Sequence, residues 1–213
     1  MTRFTLIAAL ACTLLLSACG TASDNPLRAT LFKNLQQLVS KKGQQQVLTT
    51  AILRERLTPE VRASIGAPVV IAELPTLKVA AVMAEVARNG GVTTWQGNDG
   101  VGLSTKSGLL ISTRGIGFDL MSSSVEGPLA MITGQGTGTA IRDHRHLDGE
   151  DQEVLTRFEC TYLHSKHHVS ENCASKKLTI TNQYWLDQSG DIWRSQQWAG
   201  VRNGYILLEI PPE

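Results

Sequence analysis

Apolar side chains follow two periods in succession along this chain of 213 residues. After Pro26, Leu27, Leu31, Leu35, Leu38 and Val39 recur at steps of three and four, which places them on one face of a helix. Asn25 supplies an N-cap, Pro26 suits the first turn, and Lys41, Lys42 and Gly43 suit the negative end. The spacing predicts an amphipathic helix of about 15 residues. A less regular helical stretch covers residues 46–56. Thr58-Pro59-Glu60 then opens a short helix, and Gly66-Ala67-Pro68 stops it.

From Val69 the period changes to two. VVIAEL is a compact run closed by Pro75, and Leu77, Val79, Ala81 and Met83 alternate through TLKVAAVMAEVA. Turn residues at Arg88-Asn89-Gly90-Gly91, Gly97-Asn98-Asp99-Gly100 and Lys106-Ser107-Gly108 separate VTTW, VGLST and LLIST, short strands joined as hairpins. Residues 127–149 are rich in glycine and threonine and only ambiguously strand-like. VLTRFECTYL, KLTITNQYWL, DIWRSQQWAG and NGYILLEI are four further strands, with turns expected at residues 167–175, 187–191 and 201–204. Roughly eight to ten strands result, enough to curl closed, and a barrel removes exposed sheet edges. The expected fold is mainly β: an antiparallel meander closing into a barrel-like sheet, with N-terminal helices, in a single domain over residues 26–213.

The beginning of the chain sets the compartment. Arg3 precedes FTLIAALACTLLL, a run short of the about 20 residues that cross a bilayer, and small residues follow it, as in an export signal. Leu16-Ser17-Ala18-Cys19-Gly20 resembles the bacterial lipobox, which implies cleavage before Cys19 and acylation of that cysteine. Several acyl chains on one residue hold a protein to a membrane persistently. Residues 1–18 therefore read as a signal peptide and 19–25 as a small, polar, lipidated tether. Gly20 stands where an aspartate would retain many lipoproteins at the inner membrane, so the expected place is the outer membrane, with the domain facing the periplasm.

Loss of Arg3 with the signal reduces 20 basic residues to 19, against 19 acidic ones. That balance gives no reason to expect a nucleic-acid partner. With Cys12 in the signal and Cys19 lipidated, Cys160 and Cys173 remain in an oxidising compartment, where a disulfide is their simplest state. Closing that loop contributes about 3 kcal/mol in the chain-entropy picture. His164, His167 and His168 lie between these cysteines without the paired spacing of structural zinc, and no metal or cofactor is implied.

The most distinctive stretch is TRGIGFDLMSS, residues 113–123. Gly115-Ile116-Gly117 lacks the third glycine of a dinucleotide loop, so a tight corner is the better reading. Asp119 is placed to bond local amides or to pair with Arg114, and Leu120 and Met121 to enter the core. There is no G-x-S-x-G nucleophile elbow. Asp143, His144, His146 and Asp148 would be the local candidates for a hydrolase, but they read as a solvated loop. Trp95, Trp185, Trp193 and Trp198 fall on expected strands, where tryptophan fills a core or stacks on sugar rings. Trp95, Trp193 and Trp198, with Arg114 and Asp119, are the candidate binding residues.

These pieces together resemble the YjbF/GfcB lipoproteins encoded with exopolysaccharide and group 4 capsule export genes in Gram-negative bacteria. The lipobox at Cys19, ELP ending at Pro75, ARNGGVTTW ending at Trp95, GLLISTRGIGFDLMSS ending at Ser123 and the tryptophan-bearing strands after Thr181 carry the resemblance. It implies a barrel-like domain at the outer membrane and a part in production or export of a secreted polysaccharide, with export proteins as partners. It carries no catalytic residues. The expected function is that of a non-enzymatic accessory lipoprotein. A carbohydrate-binding module that takes the polysaccharide itself is the alternative, and a polysaccharide hydrolase a more distant one.

Overall fold

The computed structural model of the chain describes residues 47–134 and 138–211. The lipobox with Cys19, the tether and the helix expected from Pro26 lie outside the described residues. Helices α1 (Thr50–Arg56) and α2 (Pro59–Ile65) come first. In α1 the Thr49 side chain accepts from the Ile52 amide; in α2 Thr58 accepts from Val61, Pro59 opens the first turn, and Gly66 at φ 70° closes the last. Twelve strands follow among the described residues: β1 (Val69–Leu74), β2 (Val79–Asn89), β3 (Val92–Gln96), β4 (Gly102–Lys106), β5 (Leu109–Arg114), β6 (Leu120–Ser123), β7 (Thr139–Leu147), β8 (Glu153–Ser165), β9 (His168–Ala174), β10 (Thr179–Leu186), β11 (Ile192–Gly200) and β12 (Gly204–Glu209). Helix α3 (Glu126–Thr133) is inserted between β6 and β7.

Every paired neighbour is antiparallel, and the sheet runs from β5 back to β1, across to β12 and down to β6. The one pairing distant in sequence is β1 with β12, where Ile71 faces Glu209. The two ends of the sheet, β5 and β6, meet through the corner at residues 115–119, so the meander closes almost completely into a barrel. All connections from an odd to an even strand lie at one rim, the mouth. Helix α3 belongs to the opposite rim and buries Ile132 in the lumen with Val125 just before it.

Alternation decides which side chains meet. Val70, Ala72, Leu74, Met83, Leu103, Ile206 and Leu208 point inward in one half of the lumen; Phe158, Cys160, Tyr162, Val169, Ile180 and Tyr184 fill the other. The outward set Val69, Ile71, Val82 and Ala84 receives Leu53, Leu57 and Ile65 from α1 and α2. Glu73 of the ELP motif also points outward and accepts from both the amide and the hydroxyl of Thr50, each at 2.6 Å, while Arg54 bonds Glu209 of β12. Two carboxylates, the half-buried Glu73 and the buried Glu209, thus fix the helices on the outside of the barrel.

The two lumen halves exist because the barrel is pinched. Gln197 of β11 reaches across to β5, accepting from the Leu110 amide and donating to the Gly108 carbonyl, both at 2.8 Å. Its amide thereby acts as a fragment of a missing strand for the β5 edge. Gly108 has φ +82°, and a Cβ placed there would lie 2.7 Å from Ile192 Cβ, so only glycine permits this approach of β5 to β11.

The pattern reading departs from the structure in specific places. Residues 127–149 contain α3 and strand β7, and residues 168–174, expected as a turn, form β9. Leu77 lies in a 3-10 turn, Pro75–Leu77, instead of extending β2. Leu120 is buried as expected, but Met121 faces solvent.

Candidate functional site

The distinctive 113–123 stretch forms the seam and part of the mouth. Gly115 and Gly117 adopt φ of 84° and 74°, and Asp119 accepts from the Thr113 hydroxyl (2.8 Å), the Gly115 amide (2.8 Å) and the Ile116 amide (3.3 Å). Thr113 in turn accepts from the Leu120 amide at 3.0 Å. These bonds join β5 to β6 without a ladder. Arg114 is exposed and, among the described residues, forms no ion pair with Asp119: the carboxylate is already spent on the corner it closes. At the mouth, Asn203 of the β11–β12 turn donates to the carbonyls of Gly117 (2.8 Å) and Phe118 (3.0 Å), and the Arg202 guanidinium lies 4.2 Å from the centre of the Phe118 ring. A strap therefore crosses the mouth above the pinch and divides it in two.

On one side lies an apolar hollow of about 380 Å³, lined by β1, β2 and the β3–β4 turn. On the other is a cavity of about 310 Å³ between β7, β8 and β11, with the aromatic side chains Phe118, Phe158 and Trp198 and the polar groups His144, His146, Thr156, Asp148 and Arg202. Trp198 reaches this cavity because the β10–β11 ladder opens there. Its amide is bonded instead by the Asn182 side chain at 2.8 Å, and its ring meets Tyr205 edge-on at 5.1 Å.

Beneath the cavity is a buried ionic network. Glu171 of β9 accepts four hydrogen bonds, from Arg142 Nε (3.0 Å), Tyr162 (2.7 Å), Tyr184 (2.8 Å) and Asn182 (2.7 Å). Arg142 of β7 donates further to Ser123 (3.2 Å) and to Tyr184 (3.1 Å). Both charged groups are fully buried. Burial alone would raise the Glu171 carboxyl, but Arg142 and the three neutral donors outweigh it and hold its pKa below the usual value. Burial, followed by the Glu171 charge, pushes Tyr162 up. Next to this network the Cys160–Cys173 disulfide joins facing residues of β8 and β9. Glu171 and the two cysteine sulfurs lie close together, but the disulfide removes the thiolates that a metal would need.

His144 sits between network and cavity. It is 1% exposed, its ring meets Phe158 edge-on at 5.5 Å, and Nδ1 is buried with no hydrogen-bond partner among the described residues. Burial, then the neighbouring Arg142 and His146 charges, hold its pKa well below the ordinary histidine value, so the ring is neutral. His146 is committed by Nε2 to the Ala199 carbonyl at 2.9 Å, which fixes the proton on that nitrogen. Asp148 accepts from the Glu150 and Gln152 amides and serves the β7–β8 turn.

The candidates named from sequence separate accordingly. Trp95 is core, 6% exposed, with its indole N–H on Thr105 at 2.9 Å. Trp193 lines a recess of only about 20 Å³ near the opposite end of β11, five residues and about 17 Å from Trp198. Trp185 packs with His168 and Arg194 on the outside. Of the four tryptophans, Trp198 is the one that lines the cavity of about 310 Å³. Asp143, His144 and His146, expected in a solvated loop, lie on strand β7, with His144 buried. Arg142 falls in the ambiguous stretch 127–149 and Glu171 in the turn expected at 167–175, so neither carried a sequence signal.

Comparison with known proteins gives a consistent picture. The family described as group 4 capsule polysaccharide lipoprotein gfcB, YjbF, matches residues 27–210. The crystal structure of the hypothetical lipoprotein YmcC from Escherichia coli (K12) is similar, with a TM-score of 0.64 at 16% identity over 91% of this chain and 99% of that one, a likeness of fold. No curated protein matches the chain.

Proposed function

Because this chain belongs to the YjbF family of group 4 capsule polysaccharide lipoproteins, we propose that it is an accessory component of polysaccharide production or export that binds and positions and does not catalyse. In this reading Cys19 carries the lipid, the anchor lies in the outer membrane, and the barrel faces the periplasm beside the export proteins. Anchoring concentrates the domain near those partners without any new contact.

The observation that carries the reading is the family match over residues 27–210, joined to the sequence of the lipobox. The interior supports it. The buried ion pair of Arg142 with Glu171 has its polar atoms turned on each other, as in a brace and unlike a site that must meet substrate. The mouth cavity is lined by a single carboxylate, Asp148, whereas acid–base glycoside cleavage uses two.

A deletion strain complemented with wild-type or Cys19→Ala protein tests this. Wild-type protein is expected in the outer-membrane fraction and restores polymer in the medium, and Cys19→Ala does neither. Full restoration of polymer by correctly exported, soluble Cys19→Ala would overturn the anchored accessory role.

A further inference from the structure

A buried, unpartnered polar atom in a ring that lines a cavity asks for an explanation, because leaving one unsatisfied costs free energy that a folded protein normally avoids. His144 Nδ1 is such an atom, and its ring lines the mouth cavity. The neighbouring polar groups do not serve it. Arg142 is occupied by Glu171, Ser123 and Tyr184, His146 by the Ala199 carbonyl, and Asp148 by turn amides. What would serve is a group from outside. As the imidazole is neutral, Nδ1 is either donor or acceptor, and a hydroxyl satisfies both cases; a carboxylate or an ammonium satisfies only one.

The walls narrow the chemistry further. Trp198 and Phe158 present aromatic surface next to His144, and Thr156 adds a hydroxyl. The volume of about 310 Å³ is at the small end of the about 300–1,000 Å³ usual for ligand sites. A molecule with an apolar face for an aromatic ring and hydroxyls around its edge fits this set, and a sugar ring is that molecule. Arg202, steadied over Phe118 at the entrance, is placed to meet an acidic substituent.

We propose that the mouth cavity is a saccharide-binding site for a single sugar ring, with Trp198 as the stacking surface and His144, whose ring lines the cavity, as the hydrogen-bonding side chain. The assignment rests on the reading of the chain as a polysaccharide lipoprotein and gives that reading its ligand and its site. It also accounts for the opening of the β10–β11 ladder at Asn182, which lets the indole enter the lumen.

The test uses the full lipidated chain in a zwitterionic detergent without a sugar headgroup. Oligosaccharides released by mild acid from the host's own secreted polysaccharide are titrated in, with tryptophan fluorescence and histidine side-chain NMR as readouts. Saturable binding that moves the His144 resonances is expected, weakened tenfold or more in Trp198→Leu and unchanged in Trp193→Leu. Gly149→Leu provides a second variant: this rim glycine lines the cavity with open space around it, so the substitution blocks the entrance without disturbing the core. Saturable binding should be lost in it while the thermal midpoint holds. Failure of the folded wild-type chain to bind at millimolar sugar, or binding that survives both Trp198→Leu and Gly149→Leu, would overturn the site. Neither result bears on the Cys19→Ala complementation, which tests anchoring and polymer output independently of the cavity.

Discussion

Replacing Glu171 by glutamine is the sharpest probe of what holds the barrel together. The carboxylate receives four donors and compensates the buried Arg142 charge. Glutamine keeps one acceptor oxygen and turns the other position into a donor, so two of the four bonds are lost and the guanidinium is left without a counter-charge. Two bonds to a charged group at about 1.5–3 kcal/mol each give a loss of about 3–6 kcal/mol. The usual effect of removing one partner of a buried ion pair, about 3–5 kcal/mol, agrees. In urea, with a slope of about 2 kcal/mol per molar, the midpoint should fall by about 1.5–3 M. The decisive comparison is a double-mutant cycle on the oxidised protein. Arg142→Met alone strands the carboxylate and should cost as much, but Arg142→Met with Glu171→Gln removes both charges and should cost no more than either single change. A Glu171→Gln loss below about 1 kcal/mol, or simple additivity in the double variant, would refute the account of the network as a mutually dependent brace.

Two further outcomes follow from the interior. His144 is kept neutral in the fold by burial and by Arg142 and His146, against the smaller opposite effect of Asp143; as pH falls below about 6.5 the unfolded chain takes up a proton that the folded one refuses, and stability declines by up to about 1.4 kcal/mol per pH unit. His144→Phe should flatten the dependence of the urea midpoint between pH 6.5 and 5.5, above the range where Glu171 begins to add its own acid loss, and an unchanged slope would sink this assignment. Gly108→Ala combines a left-handed backbone with a Cβ 2.7 Å from Ile192, and should cost about 2–4 kcal/mol by strain and overpacking; a thermal midpoint within a degree of wild type would show that the pinch is not held there.

The sequence made the hairpins legible where glycine or aspartate marked the turns, as at Gly90-Gly91 and residues 187–191, and it gave α2 from Thr58, Pro59 and Gly66. It hid β7 and β9 for one physical reason. Arg142, His144 and Glu171 occupy inward positions where alternation predicts apolar residues, and each becomes acceptable inside only through a neighbour on another strand. An isolated string shows the charges and not their pairing. Helix α3 was hidden as well, because only Pro128 and Ile132 of its eight residues are buried. The site shows the same limit. Trp95 and Trp198 look alike in sequence, and the local break in the β10–β11 ladder is what sends one to the core and the other to the cavity. Asp119 was correctly placed on local amides, while its pairing with Arg114 was not realised, since three donors already saturate it.

The pairing of β1 with β12 has a consequence for how the molecule is made. Every other strand finds its ladder partner next to it in the chain, so those hairpins form as soon as both halves have emerged. Strand β1 cannot complete its pairing until the last strand arrives, because Ile71, Ala72 and Glu73 await Glu209, Leu208 and Leu207. During synthesis the apolar run VVIAEL is therefore an open edge, the kind of segment that recruits foreign strands. Helices α1 and α2, which precede it, cover its outer face and not that edge, and a chain lacking its last ten residues would keep the edge for good.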